Sequence, residues 1–352
     1  MGIPSETLVS LYRGELVESI HRGHVAVVDS SGRILHHAGD PLYVTYFRSS
    51  AKPLQVLPII QSGAVERFGI TTEEVAAMSA SHHGEDMHIA AVASILAKIG
   101  LSESDLRCGS HQPINSQQAA RIIRDGISLS PVFNNCSGKH AGMLAYAVHK
   151  GYPTDGYFQR DHPVQVDMWE AVSQVCGLRK ERVIRGVDGC GVVVFGMPIA
   201  NMAYAYARMS RPSSLPAIYR EPARLVVEAM LRYPNMIGGT QDFGSKLMRG
   251  ANGRIFAKGG AEGLFCLGLP ELGIGVAVKI EDGGARALPT AVMEVLREIG
   301  AADEKMLTAP DTAVERPIQN HRGDAVGRMS ACFYLHEFSG ALTGCQVGCG
   351  EV

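Results

Sequence analysis

Residues 48–53 of this 352-residue chain read Arg-Ser-Ser-Ala-Lys-Pro, and a largely apolar run follows them. A serine before such a run and a proline in its first turn predict the start of a helix. Because of the three-residue spacing, Ser49 and Lys52 would share one face of that helix. A desolvated lysine loses its proton readily and can then accept the proton of a serine. The segment predicts a serine nucleophile with a lysine base, although a capping serine and a solvated lysine would give the same pattern.

A second lysine motif lies far downstream on a predicted strand, where residues 257–263 read Ala-Lys-Gly-Gly-Ala-Glu-Gly. Serine β-lactamases and penicillin-binding proteins combine an early Ser-x-x-Lys with a late Lys-Thr-Gly strand that borders the active site. The glycine of that strand lets substrate lie close to the backbone. Lys258 and Gly259 occupy the same place in the chain order. The other interpretation of this segment is a hairpin with a charged edge.

Small polar residues follow a predicted helix at residues 79–85, which read Ser-Ala-Ser-His-His-Gly-Glu. The adjacent histidines are a weak metal signal, because neighbouring side chains diverge on a regular backbone. Ser81 is the more informative residue, since its hydroxyl can relay protons. The segment is therefore interpreted as part of the lining of a pocket.

A cysteine, a lysine and a histidine occur together at residues 134–140, which read Asn-Asn-Cys-Ser-Gly-Lys-His. A phosphate loop is excluded, because Phe133 stands where its first glycine would be. Cys136, Lys139 and His140 would instead share one helical face. Thiolate and imidazole are zinc ligands, and a nearby lysine lowers the pKa of a thiol. A buried cysteine at a capped helix is the simpler alternative.

Three glycines surround an aspartate and a cysteine at residues 186–192, which read Gly-Val-Asp-Gly-Cys-Gly-Val. The dinucleotide-binding pattern fails here, because Val194 stands where its last glycine would be. The segment indicates either a bend at the end of a strand or Asp188 and Cys190 directed into a cleft.

Composition narrows the class of protein. The chain has 33 Lys and Arg against 35 Asp and Glu, so it lacks the basic excess that nucleic-acid binding requires. Apolar residues make up 46%, which indicates a globular protein.

Eight cysteines without a Cys-x-x-Cys pair, and a start without a secretory signal, predict reduced thiols in the cytoplasm. The uncharged stretch 189–207 could span a membrane by length, but Pro198, Asn201 and its glycines favour a buried strand.

The order of the predicted elements indicates the fold class. A hairpin is predicted at residues 24–37, and helices fill much of the middle of the chain. Antiparallel strands return at residues 182–195 and again from residue 254. An early hairpin, a helical insert and late strands that rejoin its sheet predict an α+β fold.

The chain would form one catalytic unit, residues 1–352, with two lobes and no internal repeat. The sheet lobe would hold residues from about 20 to 60 and from about 180 to 335, and the helical lobe those from about 61 to 179. The glycine-rich tail, residues 337–352, has no assigned role.

Taken together, these segments resemble the serine-dependent L-asparaginases of the rhizobial type, also called L-asparaginase II. The resemblance covers residues from about 20 to 335. It implies a serine β-lactamase-like and glutaminase-like fold with an antiparallel sheet and a helical lobe, a homodimer, and a zinc ion near the substrate pocket. The motifs that carry it, in chain order, are residues 48–53, 79–82, 134–140, 187–191 and 257–263.

The resemblance also implies the roles of single residues. Ser49 with Lys52, and Ser81 with Lys258, would form two catalytic Ser–Lys pairs. The zinc ion would help to hold the substrate and would not generate a hydroxide nucleophile. Its ligands would be Cys136, Lys139 and Cys190, and the substrate would be bound by Arg48, Asp188, His140 and Gly259.

The activity implied is hydrolysis of L-asparagine to L-aspartate and ammonia through a serine acyl-enzyme, with no nucleic-acid or membrane partner. The nearest alternative is another serine amidase of the same fold, such as a glutaminase or a β-lactam hydrolase. A non-catalytic protein with structural zinc at Cys136, Lys139 and Cys190 is the alternative from another class, although structural zinc usually has four protein ligands. A nucleotide-binding module is disfavoured, because both phosphate-loop patterns fail.

Overall fold

The computed structural model describes residues 3–309 and 311–342 of the chain. Within these ranges the strands are β1 (Glu6–Arg13), β2 (Leu16–Asp29), β3 (Arg33–Ala38), β4 (Val44–Tyr46), β5 (Ile184–Val187), β6 (Val193–Pro198), β7 (Phe256–Gly260), β8 (Leu264–Leu269), β9 (Ile274–Ile280), β10 (Arg316–Gln319), β11 (Ala325–Ala331) and β12 (His336–Ala341). The helices are α1 (Lys52–Gln61), α2 (Ala64–Phe68), α3 (Thr72–Met78), α4 (Asp86–Lys98), α5 (Ser116–Arg124), α6 (Ser137–Lys150), α7 (Pro163–Val175), α8 (Ile199–Ser210), α9 (Ala217–Arg232), α10 (Pro234–Ile237), α11 (Phe243–Ala251), α12 (Leu288–Glu298) and α13 (Glu304–Thr308).

The larger sheet is antiparallel and is built around β2. In the described part of the chain its order is β10-β11-β1-β2-β9-β8-β7, and β3 joins it by pairing with β2 and β12. Residues 25–28 of β2 are fully buried, which shows that both faces of the sheet are covered there. Helices α8 and α12 pack against this sheet. A side chain at Gly275 would collide with the backbone of Ala203, so this glycine lets α8 approach the sheet closely.

Helix α1 lies at the centre of the helical part of the molecule. Each residue from Lys52 to Ile60 is buried, and the helix packs against α6, α7 and α9. A mostly apolar helix is expected in such a position. A 3₁₀ turn at Arg48–Ala51 leads directly into α1, so the lysine that follows this turn begins inside the protein.

The α+β prediction is confirmed by this combination of antiparallel strands and helices, and the predicted hairpin corresponds to β2 and β3. One local expectation was wrong. No serine caps α1, because the residue at its N-cap is Ala51 of the 3₁₀ turn. The region with predicted strand character at residues 182–195 forms two strands, β5 and β6, because the chain turns between Asp188 and Gly191.

The middle of the chain contains helices that the sequence patterns did not reveal. Residues 199–251 form α8, α9, α10 and α11, and α9 packs against α1 and α3. The uncharged stretch 189–207 contains β6 and the start of α8. Within residues 3–309 and 311–342, no helix is both long enough and apolar enough to cross a membrane.

Part of the predicted tail belongs to the sheet, because β12 pairs with β3. The remainder of the tail, residues 343–352 with Cys345 and Cys349, lies outside the described residues. The boundaries of the two predicted lobes stay a prediction.

Candidate active site

Lys52 brings the two predicted Ser–Lys motifs together. Its Nζ atom is buried and donates hydrogen bonds to Ser81 Oγ at 2.8 Å and to the carbonyl oxygen of Ala80 at 2.7 Å. A third, longer bond of 3.4 Å reaches the carbonyl oxygen of Asn135. Because α1 is surrounded by apolar residues, these loop oxygens are the polar partners that the buried amine requires.

Lys258 of β7, which is distant from Lys52 in sequence, contacts the same hydroxyl. Its Nζ atom lies 2.9 Å from Ser81 Oγ and 2.7 Å from the carbonyl oxygen of Gly259. Burial, and next the charge of Lys52, lower the pKa of Lys258 to about 7. One hydroxyl therefore lies between two buried amines, and one of these amines can lose its proton near neutral pH.

The two serines of the 3₁₀ turn have different environments. Ser50 is fully buried, its Oγ donates to the carbonyl oxygen of Lys258 at 2.8 Å, and its own carbonyl accepts from the Tyr206 hydroxyl at 2.8 Å. Ser49 is half-buried. Ser50 thus anchors the turn to β7, which leaves Ser49 as the motif hydroxyl with access to solvent.

Gly260 explains why a glycine pair follows Lys258. A side chain at this position would come within 3.1 Å of Ser50 Oγ and 3.3 Å of Arg48 Cβ, so the glycine lets β7 pack closely on the serine turn. At Gly259, the residue chosen from the sequence, an added side chain would meet only ordinary contacts with Phe265. The packing role therefore belongs to Gly260, and substrate contact at Gly259 stays a prediction.

Arg48 joins the serine turn to the aspartate motif. Its Nε atom donates to Asp188 Oδ1 at 3.0 Å, and its Nη1 atom lies 4.0 Å from Glu262 Oε1. Asp188 is largely buried, and its pKa is lowered despite burial because the charges of Lys139 and Arg48 favour the carboxylate. Two of the predicted substrate-binding residues are therefore in direct contact.

The predicted zinc ligands also lie together. Lys139 Nζ is 3.1 Å from Cys190 Sγ and 4.0 Å from Asp188 Oδ2. A hydrogen bond from the Cys136 thiol, together with the charge of Lys139, lowers the pKa of Cys190 to about 5 against the effect of burial. The same hydrogen bond, with burial, raises the pKa of Cys136 to about 12. The pair therefore favours the thiolate at Cys190 over a thiolate at Cys136.

The chemistry of these three side chains fits a zinc ion. Within residues 3–309 and 311–342, no three His, Cys, Asp or Glu side chains are grouped as metal ligands. The predicted zinc ligands are not such a group, because they are two cysteines and one lysine. Their sulfur and nitrogen atoms are nevertheless donors that zinc prefers. Burial opposes the charge on Lys139, but the Cys190 and Cys136 sulfurs outweigh it and raise its pKa. Zinc binding would therefore have to displace protons from Lys139 and Cys136.

His140 lies directly after Lys139 in α6 and is neutral. Burial, and next the charge of Lys139, lower its pKa to about 3. Its Nδ1 atom is 2.7 Å from the Tyr157 hydroxyl. In the described part of the chain its Nε2 atom is buried without a hydrogen-bond partner, so this nitrogen is available to a ligand.

Backbone atoms join the lysine cluster and the thiol cluster into one site. The carbonyl oxygen of Asn135 accepts from Lys52 and also from the backbone N–H of His82 at 3.1 Å, and Asn135 directly precedes Cys136. Of the predicted residues, the structure therefore connects Lys52, Ser81 and Lys258 in one cluster and Arg48, Asp188, Lys139, Cys190 and Cys136 in the adjoining one. Sequence reasoning missed Tyr206, Tyr157, Gly260 and Glu262, of which only the last two lie in a motif that it had selected.

A serine hydroxyl between buried lysine amines, beside a Ser-x-x-Lys turn, is consistent with an amidohydrolase that uses a serine nucleophile. The sequence model of the L-asparaginase II family matches residues 9–331. The chain belongs to the L-asparaginase II family and is therefore an amidohydrolase. No curated protein matches the chain in sequence.

Solved structures with serine β-lactamase-like folds are similar to this one at low sequence identity. A β-lactamase from Mycobacterium bovis is 18% identical, with 78% of this chain and 94% of that chain covered and a TM-score of 0.44. A protein called Mglu, in its native form, is 15% identical over 87% of this chain and 70% of that chain, with a TM-score of 0.43. A β-lactamase-like protein from Bacteroides dorei is 12% identical over 78% and 93%, with a TM-score of 0.41. At these scores no argument about function follows from the similarity.

Proposed function

We propose that the protein is an L-asparaginase that hydrolyses L-asparagine to L-aspartate and ammonia. The observation that carries the proposal is the contact of the Lys52 and Lys258 amines with one hydroxyl, Ser81 Oγ, beside the Ser-x-x-Lys turn. In a member of the L-asparaginase II family, this cluster has the groups needed to form and to resolve an acyl-enzyme.

Ser49 would attack the side-chain amide carbon of the substrate. Lys52, once its own proton has passed through Ser81 to the neutral Lys258 amine, would take the proton of the Ser49 hydroxyl. The proton taken from Ser49 would pass to the amide nitrogen, which would leave as ammonia, and a water molecule would then hydrolyse the serine ester. Ser81 lies between Lys52 and Lys258, so it can pass protons between the two amines. Backbone N–H groups, including that of Ser49, would stabilise the oxyanion, a contribution of about 3 kcal/mol per donor in comparable enzymes.

The charged ends of the substrate would lie at the second cluster. Arg48 and Asp188, together with zinc, would help to recognise the α-carboxylate and α-amino ends, with His140 and Gly259 as further contacts. The unpartnered Nε2 atom of His140 supports this assignment. Cys136, Lys139 and Cys190 would hold a zinc ion, which supplies positive charge that helps to bind the substrate.

Removal of zinc by a chelator should raise KM for L-asparagine and leave the protein folded. The 3.1 Å contact between Lys139 and the Cys190 thiolate, and the buried α6 that carries Lys139, hold this region together without a metal ligand bond. The measurement is KM and thermal unfolding before and after chelation, with zinc added back as the control. A structural zinc site would instead show unfolding on chelation with KM of the surviving protein unchanged.

The proposed activity is tested by ammonia release from L-asparagine and L-glutamine, together with nitrocefin cleavage. We expect rapid release from L-asparagine, weaker release from L-glutamine and no nitrocefin cleavage. Preference for L-glutamine would make the protein a glutaminase, and nitrocefin cleavage would make it a β-lactam hydrolase. No turnover of any of the three would contradict the proposal.

We also propose that the protein is a homodimer of the cytoplasm. The free thiols support the cytoplasmic location, because a reducing compartment keeps thiols unpaired. Each cysteine in the described ranges is free, and these are Cys108, Cys136, Cys176, Cys190, Cys266 and the exposed Cys332.

A further inference from the structure

Two charged residues of the site have strained backbone conformations. Within the described ranges, the non-glycine residues with positive φ are Arg48 at 45°, Asn252 at 48° and Glu262 at 62°. Asn252 ends α11, where asparagine commonly adopts this conformation. Arg48 and Glu262 are not helix ends of this kind, and strained residues of this type concentrate at functional sites.

The strained turn at Glu262 is held in place by a buried lysine. Lys279 Nζ donates to the carbonyl oxygens of Glu262 and Ile280, both at 2.6 Å. A side chain at Gly283 would come within 2.9 Å of Glu262 Oε2, so the carboxylate lies directly over this glycine. The surrounding structure therefore holds the backbone of Glu262, and its carboxylate lies over Gly283.

The Glu262 carboxylate is more exposed and less strongly paired than the Asp188 carboxylate, so it is more available to bind a cation. The Asp188 carboxylate is 9% exposed, accepts a 3.0 Å bond from Arg48 and lies 4.0 Å from Lys139 Nζ. The Glu262 side chain is 70% exposed, and its contact with Arg48 at 4.0 Å is too long for a hydrogen bond. A positively charged group of a ligand would therefore find an exposed carboxylate at Glu262 that is only weakly paired with Arg48.

We propose that Glu262 is a specificity-determining residue that binds the α-ammonium group of the substrate, while Arg48 binds its α-carboxylate. An α-amino acid carries both charges on one carbon atom, and Arg48 with Glu262 presents the opposite charges side by side at the edge of the serine turn. This inference rests on the proposed function, and it assigns the ammonium to Glu262 rather than to Asp188. Glu262 would not strengthen the binding of amides that lack an α-amino group.

The test compares Glu262→Gln with Glu271→Gln on two substrates, L-asparagine and succinamic acid, which is the same amide without the α-amino group. Glu271 is exposed in the turn between β8 and β9, at the opposite end of β8 from Glu262, so the control removes the same charge. We expect kcat/KM of Glu262→Gln for L-asparagine to fall about tenfold or more, mostly through KM. Its kcat/KM for succinamic acid, and both values for Glu271→Gln, should stay close to those of the wild-type protein.

Binding of L-aspartate and succinate to the same proteins gives a second measurement that needs no turnover. Glu262→Gln should weaken binding of L-aspartate by a similar factor and leave succinate binding unchanged. Equal losses for both substrates and both ligands, or no loss for any, would overturn the role of Glu262. Failure of the proposed function is distinguishable, because the wild-type protein itself would then release no ammonia from L-asparagine.

Discussion

Ser49→Ala is expected to lower the rate of ammonia release from L-asparagine about 10³-fold or more, while the protein folds and binds L-asparagine as before. The reason is the difference between the two neighbouring hydroxyls. Ser50 is buried and committed to the carbonyl oxygen of Lys258, whereas Ser49 is half-buried and stands three residues before Lys52. Loss of a half-buried hydroxyl changes the free energy of unfolding by about 0.5 kcal/mol or less.

Ser50→Ala is the matched control for this prediction. It leaves the carbonyl oxygen of Lys258 without the 2.8 Å hydrogen bond and should lower the free energy of unfolding by about 1–3 kcal/mol. Its activity should fall less than that of Ser49→Ala, because it disturbs the position of β7 and does not remove the nucleophile. A near-normal rate in Ser49→Ala, with the large loss in Ser50→Ala, would identify Ser50 as the nucleophile. Burst kinetics of the wild-type protein would separate acylation from hydrolysis of the ester.

Local sequence signals predicted many of the elements around this site. Helix α7 begins where local signals favour a helix start, because Pro163 occupies its first turn and the His162 side chain caps it. The hairpin of β2 and β3 was predicted by two apolar runs on either side of Gly32. Helix α9 was missed, since Pro222 lies inside it and a proline ordinarily argues against a helix interior.

The site itself could be predicted only in part. Resemblance to a family grouped residues from five distant segments, and the structure shows most of them in contact. No periodicity in the sequence could show that Tyr206 supports Ser50 or that Tyr157 contacts His140, because these contacts depend on tertiary packing. The strain at Glu262 is likewise a property of the folded backbone, because glutamate in a turn carries no sequence signal of its own.

The second large effect on activity is expected at Lys258, because its amine can change charge near neutral pH. Burial and then the charge of Lys52 lower its pKa to about 7, and the charge of Asp242 partly opposes this. Among the other facing groups, Cys136 raises the pKa of Lys258 and Lys139 lowers it. Only the neutral amine can accept a proton through Ser81, and this form is populated above pH 7. Activity should therefore rise with pH through about pH 7 and level off at alkaline pH.

Lys258→Met should lower kcat about 10²–10⁴-fold and remove this rise from the pH profile. Methionine fills a similar volume without a buried charge, so the free energy of unfolding should be retained or increased, which separates loss of chemistry from loss of fold. Lys258→Arg is the control, because arginine keeps the positive charge but cannot give up its proton. If Lys258→Arg stays active, or if the wild-type profile is flat from neutral to alkaline pH, then Lys258 is a fixed cation rather than a proton carrier. The contacts of Ser81 with two buried amines favour the proton carrier, since two permanent charges at 2.8 and 2.9 Å from one hydroxyl would repel each other strongly in a buried site.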